Sequence, residues 1–510
     1  MAIHTFAAID IGSFELELSI FETAGKGEIR RLDHLRHVIA LGQDTYATGL
    51  ISYELIDELC EVLNGFKEVI RGYQIESKNV AVCATSAMRE AKNRFLVEDQ
   101  IRVRCGLEVT VLSNSEQRFL CYKAIPVWQK QFYKIIEKES AIVDVGFGSM
   151  QISLYAKGAL QSTQNIKLGA LRIWSFLSKI SDSGVNSQTM AEDLIDNEVD
   201  TFKMYYLKDK DVKNIIAIGD CMRIFAAKIM KLSKADSFSA EDFVNIYQKV
   251  QGMSASDLAM EYDVPAEFAP LVLPVAMIYY RIIRVTGAQT VWIPVTALTE
   301  GLAADWAEKQ RLIRLEHDFT EDILSEARHI NKRYMGNKVH TAFIEEKCLA
   351  IFDATKKLHG LGKRERLLLQ LAAILHDCGK YISMTASGQC AYDIIMAVEI
   401  LGIRHDERKI LANVVKYNTA ELGSYEDMHL PRKTCIVIYK LIAILRLANA
   451  MDRSHKQKLA DTTVALRDGK LIIYANTSQD ISLEKGVFEE KGRFFEEVFG
   501  VLPELKVRKK

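Results

Sequence analysis

Two short stretches of this 510-residue sequence each set a carboxylate beside glycines and a serine, a combination that could hold an anion. In the first, Asp10, Gly12 and Ser13 follow the apolar run Ala7-Ala8-Ile9. In the second, Asp144, Gly146, Gly148 and Ser149 follow Ala141-Ile142-Val143. Alternation of apolar and polar residues resumes after each turn (Leu16, Leu18, Ile20; then Ile152, Leu154), so each stretch reads as strand, glycine turn, strand. A Walker or dinucleotide-binding loop would run from its glycines into a helix, and the closing G-K-S/T is absent. Backbone N–H groups at such a turn form a nest for phosphate, and the aspartate suits a hard cation. A single D-x-G turn is commonplace. The duplication makes the pair a candidate site.

The elements that position these turns follow from periodicity. Tyr53 to Tyr73 reads as an amphipathic helix, Val80 to Thr85 as a strand, Phe95 to Arg104 as a helix and Leu107 to Leu112 as a strand. Ser113 with Glu116 three places on is a helix start. The second half repeats the plan, with a strand near Leu160 to Leu168 and helices around Ser187 to Tyr206. A strand and turn follow at Ile215 to Cys221, then a long helix from Phe268 to Val285 and a strand from Thr290 to Pro294. Alternating strands and helices mean α/β, with the two turns facing each other across one cleft. From His317 the texture turns helical. A hairpin at Thr463 to Asn476 around Asp468-Gly469, a helix from Leu483 to Phe499 and a basic end, Lys506 to Lys510, close the chain.

Composition bounds the function. Apolar residues make up 49% and charged residues 26%, the profile of a globular chain of roughly three or four domains. A formal net charge of −1 argues against a protein dominated by nonspecific nucleic-acid binding, and no specific nucleic-acid partner is expected. The apolar stretches Leu271 to Tyr280 and Cys435 to Leu447 are shorter than a membrane span, so no membrane is expected either. Nine scattered cysteines without a C-x-x-C pair, and a start lacking signal-peptide features, lead to the expectation of a reduced, cytoplasmic protein.

Taken in order, A-A-I-D-I-G-S at 7–13, A-T-S-A-M-R-E-A at 84–91, L-S-N-S-E-Q at 112–117, D-V-G-F-G-S at 144–149, A-I-G-D at 217–220, T-A-L-T-E-G at 296–301 and L-H-D-C-G-K at 375–380 resemble the exopolyphosphatase and guanosine pentaphosphate phosphohydrolase (Ppx/GppA) family. This family belongs to the actin-like, RNase H-like superfamily, and the resemblance covers nearly the whole chain. It implies an actin-like domain at 1–127, a second at 128–316, a helical HD-type domain at 317–460 and a small α/β segment at 461–510. It also implies a phosphate cleft between the first two. Asp10, Gly12 and Ser13 would line one wall, and Asp144, Gly146, Gly148 and Ser149 the other, with Gly219 nearby. Mg²⁺ would sit near Asp10 and Asp144, with no organic cofactor, and Arg89 would clamp phosphate. Polyphosphate or guanosine penta- or tetraphosphate is the implied partner, and a homodimer the implied assembly. His340, His376, Asp377 and Asn449 would be the remnant of an HD-type metal site, with Asp452 one turn beyond Asn449.

The chain departs from the family pattern at the chemistry. Gln117 stands where the family has the glutamate that activates water, with Glu116 adjacent, and loss of such a base costs about 10²–10⁴ in rate. Gln151 replaces a second glutamate, and Phe14-Glu15, Phe147 and Asp220 replace small or polar residues. The expectation is a phosphoanhydride hydrolase with impaired catalysis, the alternative a weak or inactive polyphosphate- or alarmone-binding protein.

Overall fold

The computed structural model describes residues 3–24, 28–180, 187–208, 211–232, 236–294, 296–423, 425–467 and 469–508. The chain divides into two units, Met1–Ile323 and Leu324–Lys510.

The first unit is built on two sheets with one shared plan. The first sheet contains β1 (His4–Ile11), β2 (Glu15–Ala24), β3 (Glu28–Val38), β4 (Val80–Ala84) and β5 (Thr110–Val111), in the order β3-β2-β1-β4-β5. The second contains β6 (Ser140–Val145), β7 (Met150–Ala156), β8 (Ala159–Ile166), β9 (Asn214–Ile218), β10 (Asp236–Ser239) and β11 (Thr290–Ile293), in the order β10-β11-β9-β6-β7-β8. In each sheet an antiparallel hairpin is extended on its first strand by a parallel neighbour, β4 on β1 and β9 on β6. Both central strands are buried on both faces, as parallel pairing with helices on the sheet requires.

Some elements differ from the sequence reading. The strand expected from Leu107 to Leu112 pairs only at Thr110–Val111, because β4 offers it two partners, Cys83 and Ala84. β3 is not legible in the sequence, since it is rich in charged residues, some of which pair with buried acids of the first unit, and only Ile29, Leu32 and Leu35 hint at alternation. The long helix Ala269–Thr286 continues through Pro274 in its second turn, where the missing N–H removes one bond of the ladder. This helix is long and apolar enough to cross a membrane, yet 67% of it is buried inside the unit. Its Tyr279 hydroxyl donates to Val143 O and to Ile218 O, at 2.9 and 3.0 Å, bridging β6 and β9.

The helix Leu298–Lys309 follows the last strand of the second sheet but packs on β1 and β2 of the first. Trp306 stacks on Phe6 at 4.9 Å, and Lys123 on the helix Asn114–Trp128 reaches Asp305 and Glu308 at 2.8 and 2.6 Å. The crossing of these two helices depends on Gly301, whose missing side chain leaves room for Leu120 O.

The second unit is helical through Lys338–Ala354, Lys363–Leu375, Ser387–Ala397, His405–Thr419 and Arg432–Ala450. It closes with a sheet of β12 (Thr462–Arg467), β13 (Lys470–Asn476) and β14 (Pro503–Arg508), covered by the helix Ser482–Phe499. The expected hairpin is present, although Asp468 at its turn lies outside the described residues, as do Lys509 and Lys510 of the basic end. The rest of that end forms part of β14, parallel to β13.

Replacing Gly301 by alanine should destabilise the first unit by about 1–3 kcal/mol, because the new methyl meets helix backbone that cannot yield. Gly65→Ala, in the helix Tyr53–Gly72 with open space around the new methyl, should instead stabilise by about 0.5–1 kcal/mol. Thermal melts of the two variants beside wild type check the pair.

Candidate active site

The two hairpin turns are built alike, bond for bond. Gly12 N donates to Glu15 O and Gly146 N to Ser149 O, both at 3.0 Å, closing two-residue tips at Ser13-Phe14 and Phe147-Gly148. The amides of those tip residues are not used by the closing bonds. Each tip is held from behind by a helix start: Gly42 N donates to Ser13 O at 2.6 Å, and Leu171 N to Phe147 O at 3.0 Å. Glycine is needed here for space rather than for a left-handed backbone. A side chain at Gly12 would press on Glu15 O, and one at Gly148 would strike the Tyr46 hydroxyl. Gly219 needs both, with φ +115 and Val145 O against the place of a side chain.

The tips meet at one end of the cleft. Ser13 Oγ lies 3.0 Å from the Tyr46 hydroxyl and 2.7 Å from Ser86 Oγ, and accepts from Ala87 N at 3.1 Å. The Phe14 and Phe147 rings lie 5.1 Å apart, with Phe268 5.3 Å from Phe14. The two phenylalanines that depart from the family pattern are therefore a contact pair joining the hairpins. Behind them is a cavity of about 80 Å³, lined among others by Asp10, Gly12, Ser13, Gln117, Asp144, Gly146, Gly148, Ser149 and Gly219. That is room for one phosphoryl group or a handful of waters.

Asp144 is not free. The Arg118 guanidinium pairs with Asp144 Oδ2, and both side chains are 5% exposed. Burial pushes the Asp144 carboxyl up, against the pull of Arg118, while Asp144 holds the buried guanidinium above its ordinary range. Arg118 is the functional residue that motif reading missed, although it sits next to Gln117. Gln117 itself lines the cavity. Glu116 does not: its Oε2 accepts from Ser113 N and Ser113 Oγ, at 3.0 and 2.9 Å, in the expected capping box. Arg89 also lies off the cavity lining, donating to Leu112 O at 2.6 Å and to Asn114 Oδ1 at 2.5 Å.

The facing wall is acidic. In the ladder Asp10 stands directly opposite Glu17, and in the second hairpin Asp144 stands opposite Gln151. Glu15, Glu17 and Asp220 also line the cavity. Arg36 Nε donates to Glu15 at 2.7 Å, and Arg223 lies 3.0 Å from Asp220 and 3.6 Å from Glu17. Burial, then repulsion from Asp220, raises Glu15 to about 7 in spite of Arg36, and raises Glu17 well above the usual range. Asp10 is raised likewise, by burial and then by Asp220 and Glu15. A magnesium ion shared by Asp10 and Asp144 does not fit this arrangement. Asp10 has a buried oxygen without a partner, but Asp144 is already neutralised by Arg118, and Gln151 brings no charge.

In the second unit, His340 and His376 come together with their Nε2 atoms 3.2 Å apart, and Asp377 lies 3.4 Å from His376. The aspartate that meets His340 is Asp452, at 2.7 Å from Nδ1. Asn449 faces elsewhere, into a pocket with Asn418, Arg446 and Arg453. Asp452 lies past the end of the helix Arg432–Ala450, in the turn that follows, and from there it reaches His340. His340 Nδ1 donates to Asp452 and His376 Nδ1 to Ala373 O at 2.8 Å, so in the neutral rings both Nε2 lone pairs turn toward each other, and with Asp377 they offer three ligand atoms within 4.8 Å of one another.

Comparison with known proteins matches most of the chain to one family. The Ppx/GppA phosphatase family model matches residues 20–310, and a model of Ppx/GppA phosphatase domain III matches 325–490. The chain is 19% identical over 478 residues to a guanosine-5'-triphosphate,3'-diphosphate pyrophosphatase of Photobacterium profundum, covering 92% of this chain and 91% of that protein. It is 22% identical over 336 residues to exopolyphosphatase 1 of Mycobacterium tuberculosis, covering 65% of this chain and 94% of that one. Among solved structures, the Aquifex aeolicus Ppx/GppA family member superposes with TM-score 0.51 at 18% identity, covering 61% of this chain and 99% of that chain. An exopolyphosphatase from Cytophaga hutchinsonii gives TM-score 0.52 at 15% identity, covering 61% and 100%. These likenesses extend to the actin-like fold.

Arg118→Met should cost about 3–5 kcal/mol by leaving Asp144 buried and unpaired. Adding Asp144→Asn should recover most of that loss, because no charge then remains without a partner. Urea unfolding of the two single variants and the double variant measures the coupling.

Proposed function

Because the chain belongs to the Ppx/GppA phosphatase family, we propose that its cleft takes the terminal phosphoryl group of a polyphosphate or a guanosine pentaphosphate and hydrolyses it slowly. The observation that carries this reading is Gln117 on the cavity lining, with Glu116 turned back into its capping box. An amide orients a water by hydrogen bonding but takes no proton from it. The residues that remain suit recognition: tip amides on both hairpins outside the closing bonds, and Ser13 and Ser149 on the lining.

One observation favours a second reading, binding without turnover. Asp144 is consumed by Arg118, and its ladder partner is Gln151, so the second hairpin contributes no free carboxylate to the reaction.

Phosphate release from long-chain polyphosphate and from guanosine pentaphosphate, with calorimetric titration of the same ligands, tests both. Wild type should bind and release phosphate slowly, and Gln117→Glu should raise the rate about tenfold or more. Binding with no release from either form would select the second reading. Neither binding nor release in either form would sink both.

A further inference from the structure

The first-hairpin wall holds more carboxyl groups than the neighbouring guanidiniums can answer. Asp10, Glu15, Glu17 and Asp220 line one small cavity, while Arg36 and Arg223 are the guanidiniums that reach them. Arg31, the next basic residue along β3, is already bonded to Glu300 at 2.7 Å. Asp10 and Glu17 stand directly opposite in the ladder, a like-charge pairing that destabilises a sheet unless something offsets it. With all four ionised the excess would be two negative charges; burial and mutual repulsion hold Asp10, Glu15 and Glu17 toward the protonated form, and one divalent ion would take the place of those protons.

We propose that Glu15, Glu17 and Asp220 form a binding site for a hard divalent cation, on the wall opposite Asp144. One oxygen from each of the three lies within 4.8 Å of the others, a span that a single ion with metal–oxygen distances of about 2.3–2.6 Å reaches. Glu15 and Glu17 are 4% and 3% exposed, and each has a buried Oε1 without a hydrogen-bond partner, as does Asp10 at Oδ1. Buried carboxylate oxygens normally find donors; Glu17 Oε1 has only longer contacts, to Arg223 at 3.6 Å and Arg36 at 3.9 Å, and both glutamates line the cavity. His34 approaches Glu17 at 3.8 Å, but its Nδ1 is engaged with Ser19 Oγ at 3.0 Å, and it supplies no hydrogen bond to the carboxylate. The three ligands are all carboxylates, which selects the calcium, magnesium and manganese class over zinc or copper. Three carboxylates on one ion suit calcium's larger shell better than magnesium's, which keeps several waters.

The site stands on these side chains alone and does not depend on what the cleft recognises. Chelator-stripped protein is titrated with Mn²⁺ and no phosphate ligand, with free ion read by electron paramagnetic resonance and Ca²⁺ and Mg²⁺ added as competitors. Wild type should bind one ion per chain. Glu17→Gln and Asp220→Asn should each weaken binding at least tenfold. Ca²⁺ should raise the melting temperature of wild type and not of either variant. In chelator, Glu17→Gln should melt at or above wild type, since it relieves the pairing with Asp10, which separates lost binding from lost folding. The Arg118→Met/Asp144→Asn double variant should keep the ion. No ion in wild type, unchanged affinity in both carboxylate variants, or loss of the ion in the double variant alone would each overturn the proposal.

Discussion

The contact on which the rest of the site depends is the buried pair of Arg118 and Asp144. It joins the helix that closes the first sheet to the first strand of the second, so the walls of the cleft are coupled by charge as well as by packing. Through the helix it sets the position of Gln117, one residue earlier, at the cavity lining. It also removes the Asp144 carboxylate from the chemistry expected of it. Such a pair need not add net stability, because desolvating two ions offsets most of their attraction. What it does supply is register between two otherwise separate sheets.

Around that pair, the duplicated hairpins have diverged in charge while keeping their backbone. The same closing bond, the same two-residue tip and the same helix support recur in both. At the equivalent ladder position one hairpin carries Glu17 and the other Gln151. On the second hairpin one guanidinium, Arg118, answers the one aspartate; on the first, Arg36 and Arg223 face four acids. An anionic ligand would therefore approach the second hairpin's amides more readily than the first hairpin's carboxylates, unless a cation lies between.

Much of this was open to reading from residue order. The two turns, the strands leading into them, the Ser113–Glu116 cap and the change to helix after His317 follow from local pattern, and the structure contains them. β3 escaped because an edge strand rich in charged residues carries weak alternation, and β14 because its basic residues read as a tail. Within the site, Gln117 could be found by motif. Arg118 could not, since an arginine on a helix is ordinarily solvated and nothing local shows that it is buried. Glu15 and Glu17 looked like the outward face of a half-exposed strand, whereas β2 is buried on both faces along most of its length.

By itself, then, the sequence determined the elements and their duplication, because hydrophobic period, capping and turn chemistry act over a few residues. It also determined which acids had become amides. Only the tertiary structure decided which charges meet. The pairing of Asp144 with Arg118, the replacement of Asn449 by Asp452 beside His340, and the convergence of Glu15 and Glu17 with Asp220 join residues far apart in the chain. Electrostatic energy depends on distance and burial, and neither is written in local order.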